Sequence, residues 1–381
     1  MRLDFTILRS AIATAIVFWG TSIGIAGRQQ SDTPPMSDTY FKNVQILKGI
    51  PVDQFMGTMG FFSASTGFNC TDCHVEESGG DWSKYAEDNN LKRTTRRMML
   101  MVNSINQMNF GRQAVTCYTC HRGGSRPATL PSVDLLYGTP PPIEPGAYTA
   151  QARGQPSADQ IFDRYLRALG GVERLNAVQG FTGKGTYMGY DDADKSAMEM
   201  YAKAPGQRTV VAHAASGDLT WAFDGNQGWL AAPLTDRPLP VTPITGQELD
   251  GLKLEVQLLF PAGVKQALRE WRVGIPTEID EREVQVVQGT TANGGTVTLC
   301  FDKETGLLTR LVRFADSPVG PIVTRVDYSD YRDVSGVKMP FKWVVSWLNG
   351  RSTFQLASVQ ANAAIDASRF ARPAAPPAPR R

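Results

Sequence analysis

The sequence predicts an α+β protein: a small, mainly helical N-terminal domain followed by a curved antiparallel β-sheet domain with helices packed on one side. Three observations predict it. Hairpin signals punctuate the C-terminal part, where Asp224-Gly225-Asn226 separates Trp221-Ala222-Phe223 from Trp229-Leu230, and Asn293-Gly294-Gly295 separates Val284–Val287 from Val297–Phe301. Apolar residues at helical spacing appear earlier, with Phe55, Met59 and Phe62 on one face and Ile161, Tyr165 and Leu169 on another. A Pro- and Gly-rich stretch from Arg122 to Pro156 divides the two parts. At 381 residues the chain has room for two ordinary domains.

Taken in order, Arg2 and Arg9 precede an apolar run from Ala11 to Ala26, with the small residues Gly24-Ile25-Ala26 available for cleavage. Residues 1–26 are read as a secretory signal peptide, with an uncleaved membrane anchor as the alternative. Residues 27–39 form a polar linker containing Pro34-Pro35. The expected helical domain covers 40–126. Pro51-Val52-Asp53 looks like a helix start. In that helix Gly57 and Gly60 are poor helix formers, and their expected use is to let a large planar ring approach the backbone.

The stretch from Cys70 to His121 organises this domain. Cys70-Thr71-Asp72-Cys73-His74 opens it and Cys117-Tyr118-Thr119-Cys120-His121 closes it. Each is a Cys-x-x-Cys-His run, the spacing of c-type haem attachment. Cys70, Cys73, Cys117 and Cys120 are positioned to form thioethers to two haems, and His74 and His121 to bind the irons as proximal ligands. Zinc is the competing reading. A zinc ribbon separates its pairs by about 15–20 residues, and here residues 74–116 intervene. A redox disulfide does not call for a histidine after both pairs.

The remaining histidine, His213, lies far away in a strand-like run and is read as structural. One histidine cannot serve two sixth positions, so methionine is the expected distal ligand. Met59 and Met56 precede the first motif. Lys92, Arg93, Arg96 and Arg97 enter a helix whose stripe of Met98, Met101, Ile105 and Met108 precedes the second. Such a stripe is also what plain core packing produces. No methionine lies between His121 and Met188, so the second site has to draw on this helix.

Residues 127–156 form the interdomain linker, with Pro140-Pro141-Pro142 extended. The β domain spans 157–370. Ser157 and Gln160 make a capping box for the helix bearing Ile161, Tyr165 and Leu169. A helical stretch is expected over roughly 247–271, and Asp302–Gly306 is a turn into Leu307–Phe314. Trp221, Trp229, Trp343 and Trp347 fall at strand positions and are read as core rather than ligand-stacking residues. Cys300 reads as a buried, apolar-like side chain. No catalytic constellation is found. Residues 371–381 are a Pro/Ala/Arg tail expected to be disordered.

Lys+Arg 39 against Asp+Glu 37 is nearly balanced, at +2, and nothing in it points to nucleic acid. Covalent haem with an export signal places the chain in the periplasm or cell envelope.

Lys42-Asn43-Val44-Gln45-Ile46-Leu47, Gly57-Thr58-Met59, Arg96-Arg97-Met98 and Val115-Thr116-Cys117-Tyr118-Thr119-Cys120-His121 resemble the cytochrome c subunit of photosynthetic reaction centres. The resemblance implies that Met59 serves the first haem and Met98 the second, ahead of Met56 and Met101. That family carries four haems, whereas this chain has two motifs. The family's histidine before the second motif has no counterpart in Asn109–Val115. Residues 158–370 look like the half-open β-barrel of LolA-like lipoprotein carriers, on the hairpin style Trp221–Asp224–Gly225 and Gly228–Trp229.

The expected function is an exported dihaem c-type cytochrome that passes electrons between redox proteins of the cell envelope and is not an enzyme. Two alternatives are carried. One is a dihaem peroxidase or reductase with an open iron. The other is a lipid- or lipoprotein-binding β domain with an appended cytochrome module.

Overall fold

The computed structural model describes residues 33–74, 82–111, 113–130, 133, 138, 150–189, 195–233 and 238–376. The expected signal or anchor segment and most of the 127–156 linker lie outside the described residues. Among them, no helix is long and apolar enough to cross a membrane.

The sheet is built from β1 Gly180–Met188, β2 Lys195–Lys203, β3 Gln207–Ala214, β4 Gly217–Phe223, β5 Gly228–Ala231, β6 Val241–Ile244 and β7 Arg269–Val273. It continues through β8 Thr277–Ile279, β9 Arg282–Thr290, β10 Thr296–Asp302, β11 Leu308–Ala315, β12 Ile322–Val334, β13 Val337–Trp347 and β14 Gly350–Ala361. The strand order is β6-β5-β4-β3-β2-β1-β14-β13-β12-β11-β10-β9-β7, with β8 pairing β9. Every pairing is antiparallel. Two meanders therefore meet where β1 pairs β14. A bulge sits in β1 between Lys184 and Gly185. A Cβ at Gly185 would lie 2.0 Å from the Gln355 carbonyl oxygen, so only glycine permits this close approach.

The turn chemistry read from the sequence forms as expected. Asp224 accepts the Asn226 and Gln227 amides, both at 2.7 Å, and joins β4 to β5. Asp302 accepts the Thr305 amide at 2.6 Å and leads into β11.

Eight helices accompany the sheet among the described residues: α1 Ser37–Tyr40, α2 Val52–Thr66, α3 Cys70–Cys73, α4 Asn90–Ile105, α5 Cys117–His121, α6 Ala158–Ala168, α7 Val172–Ala177 and α8 Gly246–Gln257. Short 3-10 and π-helical turns complete the set. The Ser157–Gln160 capping box opens α6, with the Ser157 amide donating to Gln160 at 2.9 Å. α6 buries Ile161, Phe162, Tyr165 and Leu166 against Leu299, Phe301, Leu311 and Val326 of the sheet. The helix expected over 247–271 is three elements instead. α8 ends at Gln257, Pro261–Gln266 is a 3-10 turn, and Arg269–Val273 is strand. Pro261 cannot continue an α-helix and Gly263 carries non-helical angles, which accounts for the break.

α2 lies against the sheet. A Cβ on Gly57 would stand 2.7 Å from Ile322 Cδ1, and one on Gly60 would stand 2.9 Å from Asn349 Oδ1. These glycines let the sheet come close to α2, and both also border the cavity described below. Phe61, on the same helix, packs where a Cβ on Gly320 would stand, 2.3 Å from its Cζ. Residues Pro34–Arg381 accordingly form one compact unit.

Candidate functional site

Both Cys-x-x-Cys-His runs fold as single helical turns. In α3, Asn69 Oδ1 accepts the Asp72 amide at 3.0 Å, and Asp72 returns a bond from the Asn69 amide at 2.8 Å. The His74 amide closes the turn on the Cys70 carbonyl at 2.9 Å. In α5 the Thr116 amide donates to Thr119 Oγ1 at 3.0 Å, and the Arg122 amide donates to the Tyr118 carbonyl at 3.0 Å. A helical turn brings positions three apart onto one face, so each cysteine pair presents both sulfurs to one side. Burial raises the thiol pKa of Cys73 and of Cys117.

The two histidines share one arrangement. His74 Nδ1 lies 3.1 Å from the Tyr85 carbonyl oxygen, and His121 Nδ1 lies 3.0 Å from the Gly124 carbonyl oxygen. A carbonyl only accepts, so each Nδ1 carries the proton and each Nε2 keeps its lone pair. Fixing the tautomer through a backbone carbonyl is how proteins prepare a metal-ligating imidazole. The His74 ring stacks on Tyr85 with centroids 4.6 Å apart. Burial, followed by the nearby Lys92 ammonium, lowers the His74 pKa and favours the neutral ring. His213, by contrast, is exposed, pairs with Asp218 at 2.8 Å, and stands apart from this site.

Two asparagines absent from the sequence reading brace the cassettes. Asn89 caps α4 by accepting the Lys92 amide at 2.9 Å and donates to the Cys73 carbonyl at 2.8 Å. Asn106 is buried after α4. It accepts from the Ala114 and Val115 amides at 3.0 and 2.8 Å and donates to the Val115 carbonyl at 2.8 Å. Asn89 was legible as a cap residue before a periodic run; Asn106 carries no local signal. The end of α2 joins the second cassette, with the Gly123 amide donating to the Ser65 carbonyl at 2.9 Å. Gly67 makes this possible: it is left-handed at φ 71°, and a Cβ there would lie 2.5 Å from the Gly123 carbonyl oxygen.

All six motif residues border one cavity of ≈ 1790 Å³. Met56, Met59, Met98 and Met101 border it too, so the structure brings every candidate ligand to one space. On α4 the outward stripe faces this space: Leu91, Met98 and Met101 are 40%, 37% and 51% exposed. Met99 and Val102 supply the buried face instead. Met108 falls in the π-helical turn after α4 and is exposed, off the stripe. A haem is a large apolar plate, and these residues fit it. Paired sulfurs, a tautomer-fixed imidazole and uncovered methionines meet in a space well above the ~300–1,000 Å³ of an ordinary single-ligand pocket.

The β-domain supplies the rest of the lining. Trp221, Trp343 and Trp347 border the cavity, whereas Trp229 is buried core. The core reading holds for Trp229, while Trp221 and Trp343 pack against core clusters and also border the cavity. Near this wall Arg313 Nε bonds Glu255 at 3.0 Å and its Nη1 pairs with Glu248, while Arg208 reaches Glu255 at 3.4 Å. Cys300 is buried in β10, away from the cavity, with its thiol pushed up to about 12 by burial.

Comparison with known proteins follows the motifs. Residues 22–157 match the family described as the photosynthetic reaction centre cytochrome C subunit. The photosynthetic reaction center cytochrome c subunit of Thermochromatium tepidum is 35% identical over 100 residues, covering 25% of this chain and 24% of that one. That of Rubrivivax gelatinosus is 33% identical over 101 residues, covering 25% and 26%. The match thus spans about a quarter of the length of these curated relatives. The resemblance read from the motifs is borne out over this N-terminal part. Among solved structures, a LolA superfamily protein from Nitrosomonas europaea is 13% identical with a TM-score of 0.39, covering 57% of this chain and 98% of that one. A DUF1329 family protein from Desulfovibrio piger is 11% identical with the same TM-score and coverage.

Proposed function

We propose that this chain is a dihaem c-type cytochrome of the cell envelope that carries electrons between redox proteins. The observation that carries the reading is the repeated cassette. Twice, a Cys-x-x-Cys turn presents paired sulfurs beside a histidine whose Nδ1 is committed to a backbone carbonyl, within one methionine-lined cavity.

In this reading Cys70 and Cys73 hold one haem, and Cys117 and Cys120 the other. His74 and His121 present Nε2 to the irons. Met59 and Met98 are the distal ligands, with Met56 and Met101 as neighbours able to replace them. When bound, each haem supplies a one-electron couple. The chain's own task is to fix its ligands and keep water away. The carbonyls of Tyr85 and Gly124 hold the imidazole protons, Asn89 and Asn106 hold the cassettes against α4, and the tryptophan-bearing sheet closes the cavity. Methionine sulfur from these residues would raise the potential of a haem held here.

A pyridine haemochrome count on purified protein tests the haem number, and the weak long-wavelength band of oxidised iron–methionine bonding tests the distal ligands. Two c-type haems with that band support the carrier. Tight carbon monoxide binding to the reduced protein would favour an oxidoreductase with an open iron. No haem at all would return the cysteines to thiol or zinc chemistry. Export is tested by fractionating the cell, with the periplasmic or envelope fraction expected to hold the protein.

A further inference from the structure

We propose that the sheet wall of the cavity is a binding site for a neutral, planar ring compound of the quinone class. Tyr187, Trp221, Trp343 and Phe354 all border the cavity, and the Phe354 ring contacts the other three. Ring centroids are 5.4 Å apart for Tyr187–Trp221, 5.1 Å for Tyr187–Phe354 and 5.5 Å for Trp221–Phe354. Trp343 stacks on Phe354 at 5.0 Å with their planes 5° apart. Such a cluster offers ring faces and edges to a further flat ring.

The polar groups select the ligand's head. Tyr187 Oη and Ser352 Oγ lie 3.0 Å apart and both border the cavity, so a hydroxyl pair stands beside the rings. Hydroxyls both donate and accept, which suits a ring carbonyl or ring hydroxyl. The charged groups of the sheet wall argue against an anionic head there; the other cations that border the cavity, Lys42, Lys92 and Arg96, belong to the helical part. On the sheet domain's side two arginines, Arg208 and Arg313, face three carboxylates, Glu248, Glu255 and Asp316. Both arginines are already ion-paired. A fatty-acid carboxylate or a phosphate would meet no uncommitted cation there, whereas a neutral ring loses nothing. The choice of quinones among neutral rings rests on the electron-carrier reading, because quinones are the neutral planar rings that carry electrons.

The test is equilibrium dialysis of the haem-loaded full chain against a short-chain benzoquinone, with an anionic phosphatidylglycerol as competitor. Saturable quinone binding is expected. It should weaken about tenfold in Trp343→Leu, stay near wild type in Trp343→Phe, which keeps a ring, and be unchanged in His213→Ala, outside the cavity. Trp221→Leu gives a second, independent loss. Absence of saturable binding, equal binding by Trp343→Leu, or displacement of quinone by the phospholipid at lower concentration would each overturn the proposal. A haemochrome count on the same samples reports the haem reading separately. Quinone binding without haem would leave the site standing and remove the carrier, and two haems without quinone binding would do the reverse.

Discussion

Met98 and Met99 are sequence neighbours with different surroundings. Both border the cavity, but Met99 is 6% exposed and packs with Leu47, Phe61 and Val319, while Met98 is 37% exposed. Replacing Met98 with Ala is expected to lower one haem's potential, open its sixth position to carbon monoxide, and leave stability nearly unchanged. Replacing Met99 with Ala should cost ~2–5 kcal/mol in denaturant unfolding and leave the iron–methionine band intact. Unchanged spectrum and potential in Met98→Ala would remove Met98 from the site. Asn106 gives a second case. It bonds three backbone groups of the segment before the second cassette, so Asn106→Ala removes all three bonds and is expected to cost about 1–3 kcal/mol in total. At this scale the cysteines and histidines were legible because their chemistry is written in adjacent positions. Asn106 was not, since its partners lie eight and nine residues on and answer to a local chain path that no periodicity records.

Between elements, the joint of α2 with α8 is a carboxylate. Asp53 accepts from the Thr245 amide at 2.7 Å and from Thr245 Oγ1 at 2.8 Å, in a half-buried position. Burial raises its pKa above the usual value of 3.8, against the lowering effect of the Thr245 bonds. The folded state then holds a proton more tightly than the unfolded chain does. This group's contribution to stability is fully present below pH 3.8 and is lost as pH rises through the raised folded pKa. Asp53→Asn, which keeps an acceptor and removes the charge, should raise the urea midpoint at neutral pH, with the gain shrinking toward acid. A gain that does not depend on pH would show that charge burial is not the cause. The sequence announced Asp53 as a helix-start residue, and the structure uses it to bond another element. Helix starts, hairpins and the α6 capping box were readable because each depends on residues within about one turn. The helix expected over 247–271 stops early because Pro261, inside that span, ends it.

Over the whole molecule, the two parts read separately from the sequence share one cavity and one packed boundary. The linker composition suggested independence, but the residues that join the parts are glycines and small side chains whose role appears only when distant segments meet. Gly320 shows this most sharply. It sits at φ 154° before β12, and its missing Cβ leaves room for Phe61 of α2. Gly320→Ala forces the Phe61 ring aside and places a side chain in a backbone region that L-residues avoid, at a cost of about 1–3 kcal/mol. If the cassettes and the sheet unfold as one unit, thermal melting followed by far-UV dichroism and by haem absorbance should coincide in the wild type. Both curves should then move down together in Gly320→Ala. If the parts are independent, the two probes separate in the wild type, and the haem curve moves alone or not at all. Coincident curves would mean that the sheet and the two cassettes unfold as one cooperative unit joined through α2.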